Sequence, residues 1–161
     1  MRHTSTALLT FAFLFALAGG QESRAADNAQ PSDQEVVGLA GARLARVFAK
    51  FGAPADMFVS DATSDEPSVC LDYGAYGFMV RNKIVVTVLF WQDWTGNACG
   101  VAIGDTADAI VKKFGKPDNL QTDTDGTQRL YWDYKANDEV MRLQVTCGAD
   151  KKCTRVVVTL K

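Results

Sequence analysis

The sequence predicts an α+β protein built from two tandem units, each a helix followed by a three-stranded antiparallel meander, with the helices packed on one face of the sheet or sheets. Two observations support this. Residues 41–54 (GARLARVFAKFGAP) and 104–117 (GDTADAIVKKFGKP) share glycine, lysine, Phe-Gly and proline positions at an offset of 63 (104 − 41). Three strand-like runs follow each segment, and connections of hairpin length make neighbouring strands antiparallel. Because self-similarity at a fixed spacing indicates repeated structural units, we interpret the chain as one unit used twice.

Residues 1–25 are predicted to be a cleavable signal peptide. A short basic start precedes residues 7–18, which are apolar and uncharged over a length that suits export and is too short to span a bilayer. Cleavage is expected after Ala18 or Ala25, and Ala25 is preferred because it leaves a polar segment before the cut, with small residues at the last and third-last positions. Residues 17–20 (LAGG) have glycine where a lipoprotein signal has cysteine. We therefore expect a periplasmic or secreted protein without a lipid anchor; an uncleaved membrane anchor is the alternative.

The remainder is divided into a flexible leader, 26–35, a first unit, 36–100, and a second unit, 101–161. The leader (ADNAQPSDQE) lacks large apolar residues. Beyond it, apolar residues at helical spacing predict a helix that ends near Phe51, and a second helix starts with Asp105 or Thr106 as its candidate cap. The predicted strands are 69–73, 76–81 and 84–91 in the first unit and 129–134, 139–146 and 154–160 in the second.

The run 84–91 (IVVTVLFW) gives the strongest strand signal in the chain. It is rich in β-branched and aromatic residues and is apolar at both odd and even positions. That pattern predicts a central strand covered on both sides, or one whose second side meets a partner.

Four cysteines lie beyond the predicted signal peptide: Cys70, Cys99, Cys147 and Cys153. Four cysteines allow three pairings, and an exported chain favours disulfides. Cys147 and Cys153 bracket a turn-like insert, so we prefer a disulfide there, which leaves Cys70 with Cys99. A metal site is the alternative, but no Cys-x-x-Cys spacing occurs.

The residue types argue against the common catalytic classes. The only histidine, His3, lies in the predicted signal peptide, so the mature chain lacks the usual general base and zinc ligand. Asp72 and Asp133 occupy equivalent positions in the two predicted units and could form a carboxylate pair in a hydrolase, although aspartates at strand ends more often satisfy turn amides. The segment 123–126 (DTDG) is an incomplete calcium loop and an ordinary turn sequence. We expect no enzyme activity, no cofactor and no metal.

Charge and aromatic content favour a protein partner. The mature chain has 15 basic and 18 acidic residues, a net charge of −3 (15 − 18), and has no basic stripe, so nucleic acid is not an expected partner. Aromatic residues concentrate in the strands and at their ends, and tyrosine and tryptophan are enriched at binding hot spots. The predicted partner-binding residues are Tyr73, Tyr76, Trp91, Trp94 and Tyr131. The alternatives are that these side chains fill the core, or that they bind a small ligand or glycan. The oligomeric state is left open.

The second unit also resembles a known module. Gly104-Asp105-Thr106 leads through a helix to Phe114-Gly115-Lys116-Pro117 and then to Tyr131-Trp132-Asp133-Tyr134. This is similar to the repeat of the β-lactamase-inhibitor-protein-like and SmpA/OmlA (outer-membrane assembly lipoprotein E) group, with its Gly-x-Thr start, Gly-x-Pro helix end and Trp-x-Tyr strand. Residues 101–161 match the pattern well, whereas 36–91 match loosely and lack the threonine. The resemblance implies an exported, non-enzymatic module whose sheet face meets another protein, inhibitor-like or assembly-factor-like. The missing lipid-bearing cysteine departs from the assembly lipoproteins.

Overall fold

The computed structural model describes residues 30–60, 66–136 and 138–161, and this part of the chain contains three helices and ten strands. The predicted signal peptide, its cleavage site and residues 26–29 of the predicted leader lie outside the described residues. The helices are α1 (Asp33–Val37), α2 (Leu44–Phe51) and α3 (Ala107–Phe114). The strands are β1 (Asp56–Ser60), β2 (Ser68–Asp72), β3 (Tyr76–Arg81), β4 (Ile84–Phe90), β5 (Asn97–Ala98), β6 (Val101–Ala102), β7 (Asn119–Thr122), β8 (Gln128–Ala136), β9 (Glu139–Cys147) and β10 (Cys153–Leu160).

Eight of the strands form one antiparallel sheet in the order β1-β2-β3-β4-β10-β9-β8-β7. The short strands β5 and β6 pair only with each other. The predicted architecture of two tandem helix-plus-meander units is therefore wrong. The helices are few and short, and the strands belong to a single large sheet with two strands, β1 and β7, that the sequence interpretation left unassigned.

The centre of the sheet explains why separate meanders do not form. β4 pairs with β10, with Phe90 opposite Val156 and Val88 opposite Val158. β4 is apolar on both faces, and β10 adds Val156 and Val158 on the helix face and Val157 on the open face; an exposed edge of such a strand would leave backbone groups unpaired and invite aggregation. Pairing β4 with β10 instead satisfies these groups and buries both strands.

Capping side chains mark the starts of α1 and α3. α1 starts inside the predicted leader because Ser32 and Glu35 form a capping box, in which the Ser32 hydroxyl accepts the Glu35 N–H and the Glu35 carboxylate accepts the Ser32 N–H. A turn with Gly41 at φ +78° separates α1 from α2, so the predicted single helical stripe is two helices. Thr106 caps α3, as the sequence indicates.

The two faces of the sheet differ in what covers them. On the helix face, buried residues from all three helices and from the strands form the main hydrophobic cluster. We call the opposite face the open face. It carries a small apolar cluster on β2, β4 and β10, namely Cys70, Leu89 and Val157, with Met79 and Trp91 packed against it. Polar residues of β9 and β8 cover the rest.

The cysteines are all present as thiols, and their positions rule out one predicted pairing. Cys70 belongs to the cluster on the open face, whereas Cys99 packs against the main cluster on the helix face. The sheet lies between them, so the predicted Cys70–Cys99 disulfide is wrong. Cys147 and Cys153 lie opposite each other on β9 and β10.

Candidate binding recess on the open face

The open face contains a recess of about 670 Å³ near the end of the sheet where β4 stops and β10 starts. Side chains from six of the eight strands, or from the residues next to them, contribute to its walls. They include Phe58, Asp72, Trp91, Asp93, Arg129, Gln144, Thr146 and Arg155. Because strands from both ends of the sheet order line the same space, the open face is concave here.

One cross-strand row forms the floor of the recess. Trp91 directly follows β4, and its backbone N–H donates to the Ala75 carbonyl at 2.9 Å. Since Phe90 pairs with Val156, the next position places Trp91 beside Arg155. Arg155 in turn lies opposite Thr146, and Thr146 lies opposite Arg129. Alternation along each strand sends these four side chains to the open face.

A glycine holds the Trp91 ring in place. The indole is half-buried and lies over Gly77 of β3, so closely that a Cβ at position 77 would overlap the Trp91 Cη2 atom. The same Cβ would come within 2.7 Å of the Leu71 carbonyl oxygen. Gly77 therefore lets the Trp91 ring approach the sheet closely where it lines the recess.

The recess carries charges of both signs, and they differ in how they are compensated. Arg129 forms an ion pair with Asp123 at 2.7 Å, and the Asp72 carboxylate accepts the Gly74 N–H at 2.6 Å. Within the described ranges, the Arg155 guanidinium has no hydrogen bond or ion pair to another residue. Arg155 is therefore the basic group of the recess that remains available to a ligand.

A second polar cluster lies on the open face beside the recess. Arg142 donates to both carboxylate oxygens of Asp133, at 2.8 and 3.1 Å, and Lys161 forms another ion pair with Asp133. The hydrogen bonds from Arg142 and then from Lys161 lower the pKa of the Asp133 carboxyl to about 2. The Arg142 guanidinium also lies 5.6 Å from the centre of the Tyr131 ring. Asp133 is thus fully ionised at neutral pH.

The two aspartates considered for a hydrolase are not neighbours. Asp72 lies on the second strand of the sheet and Asp133 on the seventh. Asp72 lines the recess whereas Asp133 does not, and five strand spacings of about 4.8 Å put their strands roughly 24 Å apart measured along the curved sheet. A catalytic carboxylate pair needs a separation of about 5 to 9.5 Å. In addition, Asp133 is held by two cations, so this arrangement does not favour a shared acid–base role.

The five residues predicted to bind a partner fall on both sides of the sheet. Trp91 and Tyr131 are half-buried and lie on the open face, where Tyr131 pairs with Gln144. Tyr76 and Trp94 belong to the main hydrophobic cluster and are only 8% and 4% exposed. These two side chains are core residues and cannot contact a partner in this conformation.

Tyr73 is a core-edge residue. Its ring stacks on Tyr76 at 5.3 Å between centroids, and its hydroxyl donates to the Gly52 carbonyl at 2.9 Å. Burial raises the pKa of the Tyr73 hydroxyl. Tyr73 therefore connects the end of α2 to the sheet rather than lining the recess.

Sequence reasoning predicted Trp91 as a binding residue but missed most of the recess, including Phe58, Gln144 and Arg155. Phe58 was not predicted as a site residue because the sequence pattern does not identify β1 as a strand. The other two carried a signal in the period-2 alternation of β9 and β10, where Gln144 and Thr146 fall on the side opposite Val145, and Arg155 and Thr159 on the side opposite Val156 and Val158. Metal ligation finds no support in the ranges that the structure describes, which hold no group of three or more His, Cys, Asp or Glu residues placed to bind an ion.

Comparisons with known proteins define the fold and no more. No protein-family model matches the chain, and a search of curated proteins gives no significant match. Among solved structures, the chain is similar to an extracellular protein containing a SCP domain from Bacillus anthracis, with a TM-score of 0.55 and 13% identity over 81% of this chain and 47% of that one. It is also similar to a cysteine-rich secretory protein from Staphylococcus aureus, with a TM-score of 0.51 and 16% identity over 78% and 44% of the two chains. A DUF4309 family protein from Bacillus subtilis is similar as well, with a TM-score of 0.51 and 16% identity over 82% of this chain and 87% of that one.

The chain spans about half the length of the first two of these proteins. At such low identity the likeness shows a shared fold alone. None of the three is described as a β-lactamase inhibitor or an assembly lipoprotein, so that resemblance stays a prediction. Across residues 30–60, 66–136 and 138–161, no helix has the length and apolar character needed to cross a membrane.

Proposed function

We propose that the protein is an exported, non-catalytic binding module that contacts another protein of the cell envelope or extracellular space through its open face. The observation that carries this proposal is the recess in which a half-buried Trp91 lies beside Arg155, an arginine without an ionic partner among the described residues. Tryptophan, tyrosine and arginine are the residues most enriched at protein-binding hot spots. Tyr131 and Arg142 extend the same composition along the face.

Two further observations support export. Residues 1–25 have the pattern of a signal peptide. Two of the similar structures are described as an extracellular protein and a secretory protein. The resemblance to inhibitor-like and assembly-factor-like modules points to the same use of a sheet face.

A small-ligand or glycan-binding protein is the second candidate, and one observation favours it. The recess volume of about 670 Å³ falls within the roughly 300 to 1,000 Å³ that small-molecule sites occupy. Phe58 and Trp91 would supply apolar contacts there, and Asp93, Gln144 and Arg155 would supply polar groups. The recess opens broadly across the concave sheet, which suits a protein segment better than an enclosed ligand.

The protein-binding proposal is tested by site-specific photo-crosslinking. A benzoylphenylalanine at Thr146 or Gln144 faces the recess, whereas the same group at Ala45 or Lys112 lies on exposed helix positions across the sheet. Crosslinking in the native envelope is expected to give one discrete adduct from the recess positions only. Trp91→Ala and Arg155→Ala are then each expected to weaken binding of the identified partner about 30-fold, the effect of losing a hot spot of about 2 kcal/mol.

Adducts that arise equally from the helix positions would contradict use of the open face. If the recess positions yield no protein adduct, and small saccharides raise the melting temperature of the wild type but not of Trp91→Ala, the second candidate replaces the first.

We also propose that Cys147 and Cys153 form a disulfide in an oxidising compartment. The Gly148 N–H donates to the Lys152 carbonyl at 2.9 Å, so the adjoining pair 147/153 is a non-hydrogen-bonded cross-strand pair. Such pairs have Cα atoms about 4.5 Å apart, within the range of about 4.4 to 6.8 Å that disulfides need. The two thiols would lose two electrons and two protons to an oxidant such as glutathione disulfide, which is reduced to two thiols.

Peptide mapping of the oxidised protein is expected to recover a single disulfide, 147–153, with Cys70 and Cys99 as free thiols. Desolvation on burial raises the pKa of Cys70 to about 11 and that of Cys99 to about 12, so both should resist alkylation at pH 8 until the protein is unfolded. Recovery of any disulfide that contains Cys70 or Cys99 in folded protein would contradict this assignment.

A further inference from the structure

We propose that two copies of this chain associate through β1, which pairs with β1 of the second copy in antiparallel fashion about a two-fold axis through Phe58. This goes beyond the proposed function because it concerns the edge of the sheet rather than its open face.

β1 is an edge strand that lacks the usual protection. Among the strands that the structure describes, it is first in the sheet order and pairs with β2 alone. Its three central side chains are apolar and exposed: Met57 by 59%, Phe58 by 48% and Val59 by 56%. Monomeric proteins usually shield such edges with lysines, prolines or bulges, because unpaired strand edges template pairing with another chain.

The direction of the backbone groups shows which residues offer hydrogen bonds at this edge. The Tyr73 N–H donates to the Tyr76 carbonyl, which marks 73/76 as a hydrogen-bonded pair of the β2–β3 hairpin. By alternation, Cys70 and Asp72 direct their backbone groups towards β1. Their partners there are Phe58 and Asp56. Met57 and Val59 therefore point their N–H and C=O groups away from the sheet.

One of these outward groups is already engaged. The Met57 N–H donates to the Asp56 carboxylate at 2.7 Å, which is consistent with an outward direction. A strand that docks on β1 must displace this carboxylate from the Met57 N–H. Asp56 is thus a partial cap that weakens, but does not block, pairing at the edge.

The sequence of β1 (DMFVS) is complementary to itself in one antiparallel register. With Phe58 opposite Phe58 of the second copy, Met57 and Val59 face each other as hydrogen-bonded pairs on either side of the axis, using all the outward backbone groups of both residues. Asp56 then lies opposite Ser60, so no like charges meet. Apolar side chains cover apolar side chains on both faces of the joined sheet.

The other free edge, β7, fits β1 less well. β7 (NLQT) has Leu120 as its only large apolar residue. Pairing of β1 with β7 of another copy would also be head-to-tail and would propagate into an open chain rather than close. The self-pairing of β1 is closed and buries the larger apolar edge. Because five residues make a small interface, we expect a weak and reversible dimer.

Sedimentation equilibrium from low micromolar to near millimolar concentrations tests the proposal with three matched variants of the full mature chain. Wild type is expected to shift from monomer to dimer with concentration. Val59→Lys, which places a charge on the docking edge, should weaken dimerisation at least tenfold, whereas Leu120→Lys on the other edge should leave it unchanged. Asp56→Ala, which frees the Met57 N–H, should tighten it about tenfold.

Amide hydrogen exchange supplies an independent readout at single residues. The Val59 N–H is expected to become more protected as wild-type concentration rises, and the amides of β7 are not. A monomer at every concentration overturns the proposal. So does an equal effect of Leu120→Lys and Val59→Lys, which would indicate head-to-tail chains. Crosslinking of the partner from Thr146 is expected to be unaffected by Val59→Lys, so the two proposals fail separately.

Discussion

A Phe78→Ala variant is expected to lose about 4 kcal/mol of its free energy of unfolding and to melt about 10 °C lower than wild type. Phe78 is fully buried on β3 and its ring contacts those of Phe51, Tyr73 and Tyr76, with centroid distances of 5.8 to 6.0 Å. Phe51 is the last residue of α2, so Phe78 is one of the side chains, with Tyr73 and Tyr76, that pack the end of this helix against the sheet. Its removal leaves a cavity among rings that cannot collapse to fill it.

Urea unfolding followed by circular dichroism measures the effect, and Phe58→Ala is the matched control. Phe58 lies on the edge strand and is half-exposed, so its loss should cost less than about 1 kcal/mol. Similar losses for both variants would show that the rings around Phe78 do not form the core described above.

A Gly77→Ala variant is expected to lose about 3 kcal/mol of stability and to displace the Trp91 ring from the recess. The added Cβ overlaps Trp91 and lies 2.7 Å from the Leu71 carbonyl oxygen, which belongs to the neighbouring strand and cannot move without breaking the β2–β3 pairing. The indole must therefore lift away from β3. Tryptophan emission should shift to the red as the ring becomes more exposed to water.

Gly148→Ala provides the control for Gly77→Ala. A Cβ at position 148 meets the Asp150 carboxylate at 3.2 Å, a side-chain atom in an exposed turn that can move. We expect almost no change in stability or emission. If Gly77→Ala also leaves the emission unchanged, Trp91 does not lie over Gly77.

The strands with strong β-branched and aromatic patterns were predictable from the sequence. The run 84–91 is β4 almost to the residue, and it lies near the centre of the sheet with apolar side chains buried on both faces. The Thr106 cap and the glycine after Phe114 likewise mark α3. In these segments the local pattern and the tertiary environment agree.

The edge strands and the overall sheet were not predictable in the same way. β1 is exposed at nearly every position and β7 at all of them, so neither shows the alternation that identifies a half-buried strand. The pairing of β4 with β10 depends on contacts between distant parts of the chain. A local sequence pattern carries no information about such contacts. The interpretation as two separate units failed at this junction.

Only part of the candidate site could be predicted from the sequence, for a related reason. Aromatic composition alone indicated both Trp91 and Trp94, which are three residues apart, yet the turn after β4 sends Trp91 to the open face and Trp94 into the core against Phe90. Arg155 becomes a candidate binding residue only because the pairing of β10 with β4 places it beside Trp91. Face assignment therefore required the sheet order.

The junction at the middle of the sheet also sets the order in which the molecule can form. The Thr87 and Thr159 hydroxyls lie 3.2 Å apart across β4 and β10, although 72 residues separate them in the chain. Hairpins on either side involve only nearby residues and close quickly, whereas this seam carries a large loop-closure entropy. Until β10 has been synthesised, β4 exposes a bare apolar edge.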